Sequence, residues 1–441
     1  MITHEEADSN GNIFFKGWPL EDAVVSEKDK KILRDLAKKL SDLAARPQEA
    51  EKIKLWKDHN SLQETRPLLF FDAEHGWNEI LNAEYPERKC EGRMAQIWEQ
   101  WFYKEFLWAE KVKDDKPIMA RFYLPFFATD SSWGISKKII GDAANGEAYT
   151  WEHPITEDMM EDESLDFSTI IKTPQIHVDT EAVKRYTEIA HDVFDGILEV
   201  RRRHWWFWSL GLTVEYAGLR GLDNMMTDFY DYPERVHEIM KLFVKGHMAK
   251  LDYLEEHGLL TTNADNCYVG SGGIGLTDEL NENADPVKTM DMWGLHESQE
   301  TSEVSPEMFA EFVLPYHKIL AERFGLNCCG CCEGLDKRWQ YVRQIPRLRR
   351  VSVSQWADMA AMSDYLKSDY VFSYKNSPTD LAVPQIDEEY IRKNLVKVLK
   401  KTRSNNNRVE FIMKDNHTLA NNPHNIYRWV ELAREEIANN W

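Results

Sequence analysis

The sequence predicts an α/β protein, a (β/α)₈ TIM barrel with an N-terminal helical extension and a long loop insertion. Two observations carry this. From residue 66 to the C-terminus, short apolar runs alternate with amphipathic helical stretches, and about eight such strand–helix units fit in 66–441. Strand–helix–strand order implies parallel strands with right-handed crossovers. Residues 1–65 lack this alternation and read as a helical extension; 66–441 read as one barrel, with an insertion at about 130–180.

In order, Asp29 to Leu43 places Ile32, Leu33, Leu36, Leu40 and Leu43 at helical spacing. Arg66 to Asp72 reads as a buried strand ending in an acid, and Pro117 to Arg121 as a second ending in a base. Ala95 to Lys111 between them is a Trp-rich helix. The stretch 130–180 is irregular and acidic from Glu157 to Asp166. Helix returns at Thr180 to Arg202, a strand is expected at Trp208 to Val214, and Pro233 to His257 is a long amphipathic helix. Lys288 to Trp293 reads as a strand. Ser305-Pro306-Glu307 then starts a helix with a cap, a first-turn proline and an acid at the positive dipole end. An apolar-cysteine segment at 326–332 follows, then strands at Val351 to Gln355, Tyr370 to Tyr374 and Arg408 to Met413, separated by helices. Asp387 caps one of these helices, and Asn422-Pro423 starts the last.

Composition narrows the function. The 75 acidic residues outnumber 54 basic ones, for a net charge of −21, which opposes general nucleic-acid binding. No apolar run is long enough to span a membrane, and the first residues lack the basic and apolar pattern of a secretion signal, so a cytoplasmic protein is expected. Sixteen Trp, with 17 Tyr and 19 Phe, form an aromatic surplus that is either packed or lines a site. Trp98, Trp101, Trp108 and Trp429 fall on helices. Trp77, Trp133, Trp293 and Trp356 fall at strand ends or in the long loop and are expected around a pocket.

In a barrel, chemistry sits at the C-terminal strand ends. Asn327-Cys328-Cys329-Gly330-Cys331-Cys332-Glu333 lies where one strand should end. Cys329 and Cys331 can reach one side together, with a third zinc ligand from His417 or Asp415 after the last strand, or from Glu297. Unreactive buried thiols and a cysteine nucleophile are the other readings. Asp72, Glu74 and His75 end the first strand, and His296-Glu297 follow another. These acids and histidines suit proton transfer, and equally suit caps and surface pairs. Arg121 and Tyr123 stand at a strand end before an aromatic run; Tyr216 and Arg220 follow a later one, and Arg121 or Arg220 could hold a carboxylate. Gly270-Ser-Gly272-Gly273 has the composition of a phosphate loop but no helix behind it, and reads as a flexible turn.

Gly211-Leu-Thr-Val-Glu-Tyr-Ala-Gly-Leu-Arg-Gly221 with Met225 to His237 resembles the uroporphyrinogen decarboxylase superfamily. So do Met290-Asp-Met-Trp293 with Ser305-Pro306 and Pro315-Tyr316, and Asn422-Pro-His-Asn425-Ile426. The resemblance covers about 200–440 well and 66–200 loosely. It implies a (β/α)₈ barrel and one of two chemistries. The arginine-rich motif of the porphyrinogen decarboxylases is absent after Arg66-Pro67. The corrinoid-linked methyltransferases hold zinc through His-x-Cys and a later Cys. Cys329-Gly330-Cys331 would take the first position, with cysteine in place of histidine, and the second falls at Asp415 to His417, which has no cysteine.

The expected function is therefore methyl transfer from a small aromatic methyl ether to the cobalt of a corrinoid on a partner protein, with zinc as Lewis acid. The expected ligands are Cys329, Cys331 and His417, the catalytic groups Asp72, His75, Glu297 and Arg121, and the substrate walls Trp77, Tyr123, Trp133, Tyr216, Trp293 and Trp356. The alternatives are a cofactor-free decarboxylase of a carboxylated ring and a non-enzymatic ligand-binding barrel.

Overall fold

The computed structural model describes residues 23–135, 138–141, 149–203 and 206–441. The N-terminal stretch read above for a secretion signal lies outside them. Helices α1 (Glu27–Ala44) and α2 (Pro47–Asn60) form the extension. α1 starts where Ser26 Oγ accepts the Asp29 N–H at 3.1 Å, and it buries Leu33, Ala37, Leu40 and Leu43. Strand β1 (Leu68–Phe71), α3 (Trp77–Glu84), α4 (Arg93–Leu107) and a π turn at Trp108–Val112 lead to β2 (Arg121–Leu124).

The insertion holds β3 (Ala128–Asp130), β4 (Lys138–Gly141), β5 (Tyr149–Glu152), the short helix α5 (Glu157–Glu161) and β6 (Ile176–Val178). β3 pairs antiparallel with β6, and β4 with β5. Then come α6 (Thr180–Phe194), β7 (Glu199–Arg202), α7 (Thr213–Arg220), α8 (Leu222–Asp231), α9 (Pro233–Glu256) and β8 (Trp293–His296). The rest alternates: α10 (Pro306–Phe312), α11 (Leu314–Ala321), β9 (Leu326–Cys329), α12 (Trp339–Val342), β10 (Leu348–Val353), α13 (Met359–Leu366), β11 (Val371–Lys375), α14 (Glu388–Ser404), β12 (Arg408–Met413) and α15 (His424–Asn440). Ser305 and Asp387 cap α10 and α14 as their sequence positions imply, accepting from Met308 N and Tyr390 N.

The central sheet has six strands, all parallel, in the order β1-β12-β11-β10-β9-β8, so first and last strands of the unit are neighbours. β2 and β7 form a separate parallel pair. Among the described residues no ladder joins β2 to β1. Instead Asp115 and Asp114 occupy that edge: their carboxylates accept the Leu69 and Phe71 N–H groups at 2.8 and 2.9 Å. The 114–118 segment therefore satisfies β1 rather than forming a strand, and β2 begins at Arg121, where the apolar run Pro117 to Arg121 was expected to end.

The strand expected at Trp208 to Val214 is also displaced. β7 lies at 199–202, beyond the true end of α6, and Leu212, with φ of 66°, turns the chain into α7. Both faces of the sheet are buried, which parallel strands require. One face, with Leu69, Phe71, Val351, Val353, Phe411 and Met413, joins the helical layer, where Trp98, Trp108 and Trp429 also pack. The other, with Leu68, Phe70 and Ile412, packs on Trp56, Ile274 and Leu276. The segment 264–276 is thus a buried plug on that face and not the flexible turn expected. Gly272, at φ of 108°, lies so close to Ile412 that a Cβ there would meet its Cγ2 at 2.3 Å.

Candidate functional site

Short loops after β1, β9 and β12 bring ionisable side chains together at the C-terminal edge of the sheet. Asp72, Glu74 and His75 follow β1; Cys331 and Cys332 follow β9; Lys414, Asp415 and His417 follow β12. The parallel registers Phe71↔Met413 and Val351↔Cys329 align these strand ends. His75 and His417 stack with ring centroids 5.1 Å apart. Asp72 accepts from Trp77 Nε1 at 2.6 Å, and its carboxylate lies 3.8 Å from Lys104 Nζ.

Glu74 and Asp415 both hold left-handed backbones, with φ of 49° and 59°. Such strain in residues other than glycine gathers where structure over-determines the chain, often at sites of chemistry. The Glu74 carboxyl accepts the Asp415 N–H, yet crowding by protein and then the Asp415 carboxylate raise it to about 7, against the pull of Lys414. Lys414 is buried and reaches Asp415 Oδ2 at 2.6 Å. Burial opposes its charge, but the Asp415 carboxylate in contact with it holds it cationic, above the ordinary lysine range. Tyr268 is lifted well above the ordinary phenol value by burial, so it stays a hydrogen-bond donor.

The two thiols of this edge touch, Sγ to Sγ at 3.6 Å. Ser271 of the plug donates to Cys331 Sγ at 3.2 Å. Cys331 is buried and Cys332 exposed. The contact between them holds the proton on Cys331, whose thiol is raised by it and by burial, and lowers Cys332. Glu333 orders the turn by accepting the Cys331 and Ser298 N–H groups at 2.8 and 2.9 Å.

The other expected site residues are placed elsewhere. Cys329 turns to the helical layer while Cys331 stands on the edge with the plug, because β9 ends at Cys329 and Gly330, at φ of 87°, turns the chain between them. His417 is exposed and stacked on His75. Cys329, Cys331 and His417 are therefore not assembled as a zinc set. Among the described residues no three His, Cys, Asp or Glu side chains stand in a metal-holding group. The residues as placed do not fit zinc.

The strand expected at Lys288 to Trp293 is displaced to β8, Trp293–His296, and Glu297 follows it but is sealed: burial raises its carboxyl well above the usual range, with Glu300 and Glu333 adding to it, and Ser209 Oγ lies 3.2 Å away. Arg121 begins its strand instead of ending it, and its guanidinium is held by Glu199 and Glu282 at 3.0 and 2.7 Å. Arg220 is buried on Asp228 and Glu157, and Tyr216 donates to Asp228 at 3.0 Å. Both arginines are thus engaged by protein carboxylates, and Tyr216 is buried against Asp228.

Trp133 packs on Phe243 and His247. Trp293 starts β8, with Nε1 donating to the Gly275 carbonyl of the plug at 2.9 Å. Tyr123 donates to Asp265 at 3.0 Å beneath Arg203. Trp77 is buried beside Trp108 under the edge. Trp356 alone of the expected walls is open, 75% exposed after β10. Reading the sequence missed Lys414 and Cys332 as site residues, although Lys414 follows the last predicted strand and Cys332 belongs to the cysteine motif. Tyr268 carried no local signal, because a long-range fold brings the plug to the edge.

No protein-family model matches the chain, and no curated protein matches it. Among solved structures, a methyltransferase from Methanosarcina mazei aligns over 88% of this chain and 98% of its own, at 10% identity and a TM-score of 0.47. That likeness is too distant to carry an activity across.

Proposed function

We propose that this chain is an enzyme of methyl transfer, moving a methyl group from a small aromatic methyl ether to a corrinoid on a partner protein, at the C-terminal edge of the sheet. We read the six-stranded sheet and the β2–β7 pair as two arcs of one eight-stranded barrel, which makes that edge the place for chemistry. The observation that carries the reading is Glu74: an acid raised to about 7, held in strained backbone beside a buried cation, Lys414. The sequence motifs at 211–237, 290–316 and 422–426 support it.

An ether oxygen is a poor leaving group unless it is protonated as its bond to the methyl carbon breaks. A carboxyl raised toward neutral pH can carry the needed proton there. When docked, the corrinoid supplies the nucleophile that takes up the methyl group. The C–O bonding pair stays on the oxygen, Glu74 gives that oxygen its proton, and Lys414 stabilises the carboxylate left behind. Tyr268 stands beside Lys414 as a further donor. Exposed Trp356 at the same edge offers an apolar contact to a partner.

The test is incubation of the purified chain with cob(I)alamin and a panel of methoxylated aromatic compounds, followed by the cobalt absorption spectrum. Conversion to methylcobalamin is expected with at least one donor. The reading is overturned if no donor gives transfer, or if a carboxylated donor instead releases CO₂.

A further inference from the structure

A second concave site lies away from the thiols and acids of the reaction edge. It is bounded by the start of α2, Arg66 ahead of β1, the π turn after α4 and its end at Lys113, and the middle of α15. Its cavity is about 580 Å³, within the range that holds small ligands. Its lining carries five cationic side chains, Arg46, Lys52, Arg66, Lys113 and Arg434, against the acids Glu51, Glu110 and Asp115.

Two of the acids are already neutralised. Buried Asp115 takes Arg66 at 2.8 Å and Arg434 at 3.0 Å. Glu110 takes Lys39, from outside the lining, at 2.8 Å. Lys52 lies 3.3 Å from Glu49. Arg46 and Lys113 are exposed and make no ion pair among the described contacts. Lys113 is also fixed, with a left-handed φ of 55° and a carbonyl that accepts Arg434.

A second feature points the same way. Arg46 is the N-cap of the 14-residue α2 and makes no side-chain capping bond. A cation at the positive end of a helix, facing further cations, is unfavourable by itself. It becomes favourable when an anion fills the space between them. This happens in a chain whose net charge is −21, so the patch opposes the overall field. Leu55 and Ala109 add an apolar floor.

We propose that this cavity binds a small phosphate monoester, its phosphate between Arg46 and Lys113 and its organic part over Leu55 and Ala109. The site lies at the N-terminal end of β1 and is independent of the methyl-transfer reading.

The test uses the full chain and phenyl phosphate, by calorimetric titration and by thermal melting at constant ionic strength. Saturable binding and a raised melting midpoint are expected. Arg46→Ala combined with Lys113→Ala should weaken binding by at least about tenfold, since two charge-assisted contacts are lost. Lys397→Ala combined with Lys400→Ala removes the same charge from exposed α14 positions and should leave affinity unchanged. Both variant pairs alter exposed residues, so neither should melt below the parent without ligand. Absence of saturable binding, or equal loss in the two pairs, overturns the proposal.

Discussion

At the scale of the residue, protein crowding and neighbouring charge set the chemistry. Glu74 gives its proton only while it holds one, and its pKa is about 7. Under the proposed mechanism, methyl transfer falls as pH rises through about 7, and Glu74→Gln should cost about 10²- to 10⁴-fold in kcat and remove that limb of the profile. A pH–rate series on both proteins checks this; an unchanged limb in the variant would assign the titration to another group. The thiol pair makes a separate prediction. Cys332 is exposed with a lowered pKa, whereas Cys328, Cys329 and Cys331 are buried and raised. Iodoacetamide should therefore alkylate Cys332 first, and Cys332→Ala should remove the fast phase seen by peptide mass analysis.

At the scale of the element, the plug decides what the sheet can do. Gly273 sits at φ of 114°, and a Cβ there would meet the Arg350 guanidinium carbon at 2.8 Å and Glu410 Oε1 at 2.9 Å. Those two side chains form a buried pair, Arg350 Nε to Glu410 Oε1 at 2.9 Å, and His59 lies 3.2 Å from the same carboxylate. Gly273→Ala combines backbone strain with displacement of a buried ion pair and should destabilise by roughly 2–4 kcal/mol. Urea unfolding would measure it; a loss below about 0.5 kcal/mol would mean the plug yields easily.

The helices of this fold were legible because their signals are local. Leu33 and Leu40 recur at helical spacing, and Ser305 and Asp387 cap the turns that follow them. β12 was found at its true bounds, Arg408–Met413. β2 and β7 were not, because edge-filling by Asp114 and Asp115 and the turn at Leu212 depend on neighbours far along the chain.

At the scale of the whole molecule, buried histidines couple stability to acid. His296 and His317 are held neutral by burial, lowered to about 3 and about 4. Their ordinary value is near 6.5. Below it the unfolded chain takes up protons that the native state refuses, so stability is present above 6.5 and is lost as pH falls from there toward 4. The loss is on the order of a few kcal/mol at most. His317 Nε2 lies 2.7 Å from the Gly211 carbonyl, a contact that an amide can keep. His317→Gln should therefore shallow the fall in melting temperature between pH 6.5 and 4. Parallel profiles for the two proteins would remove His317 from the cause.

The sequence by itself determined the α/β alternation, the helical extension, the caps, the acidic balance and the strand ends where Asp72, Glu74 and Lys414 emerge. These follow from spacing along the chain, which local physics reads directly. Only the tertiary structure decided which of those groups meet. It set Cys329 and Cys331 in different surroundings, spent Arg121 and Arg220 on carboxylates, buried Trp133 and Trp293, and brought Tyr268 to Lys414. Side-chain direction at a strand end and partner choice for a charge depend on residues hundreds of positions away, so no local pattern records them.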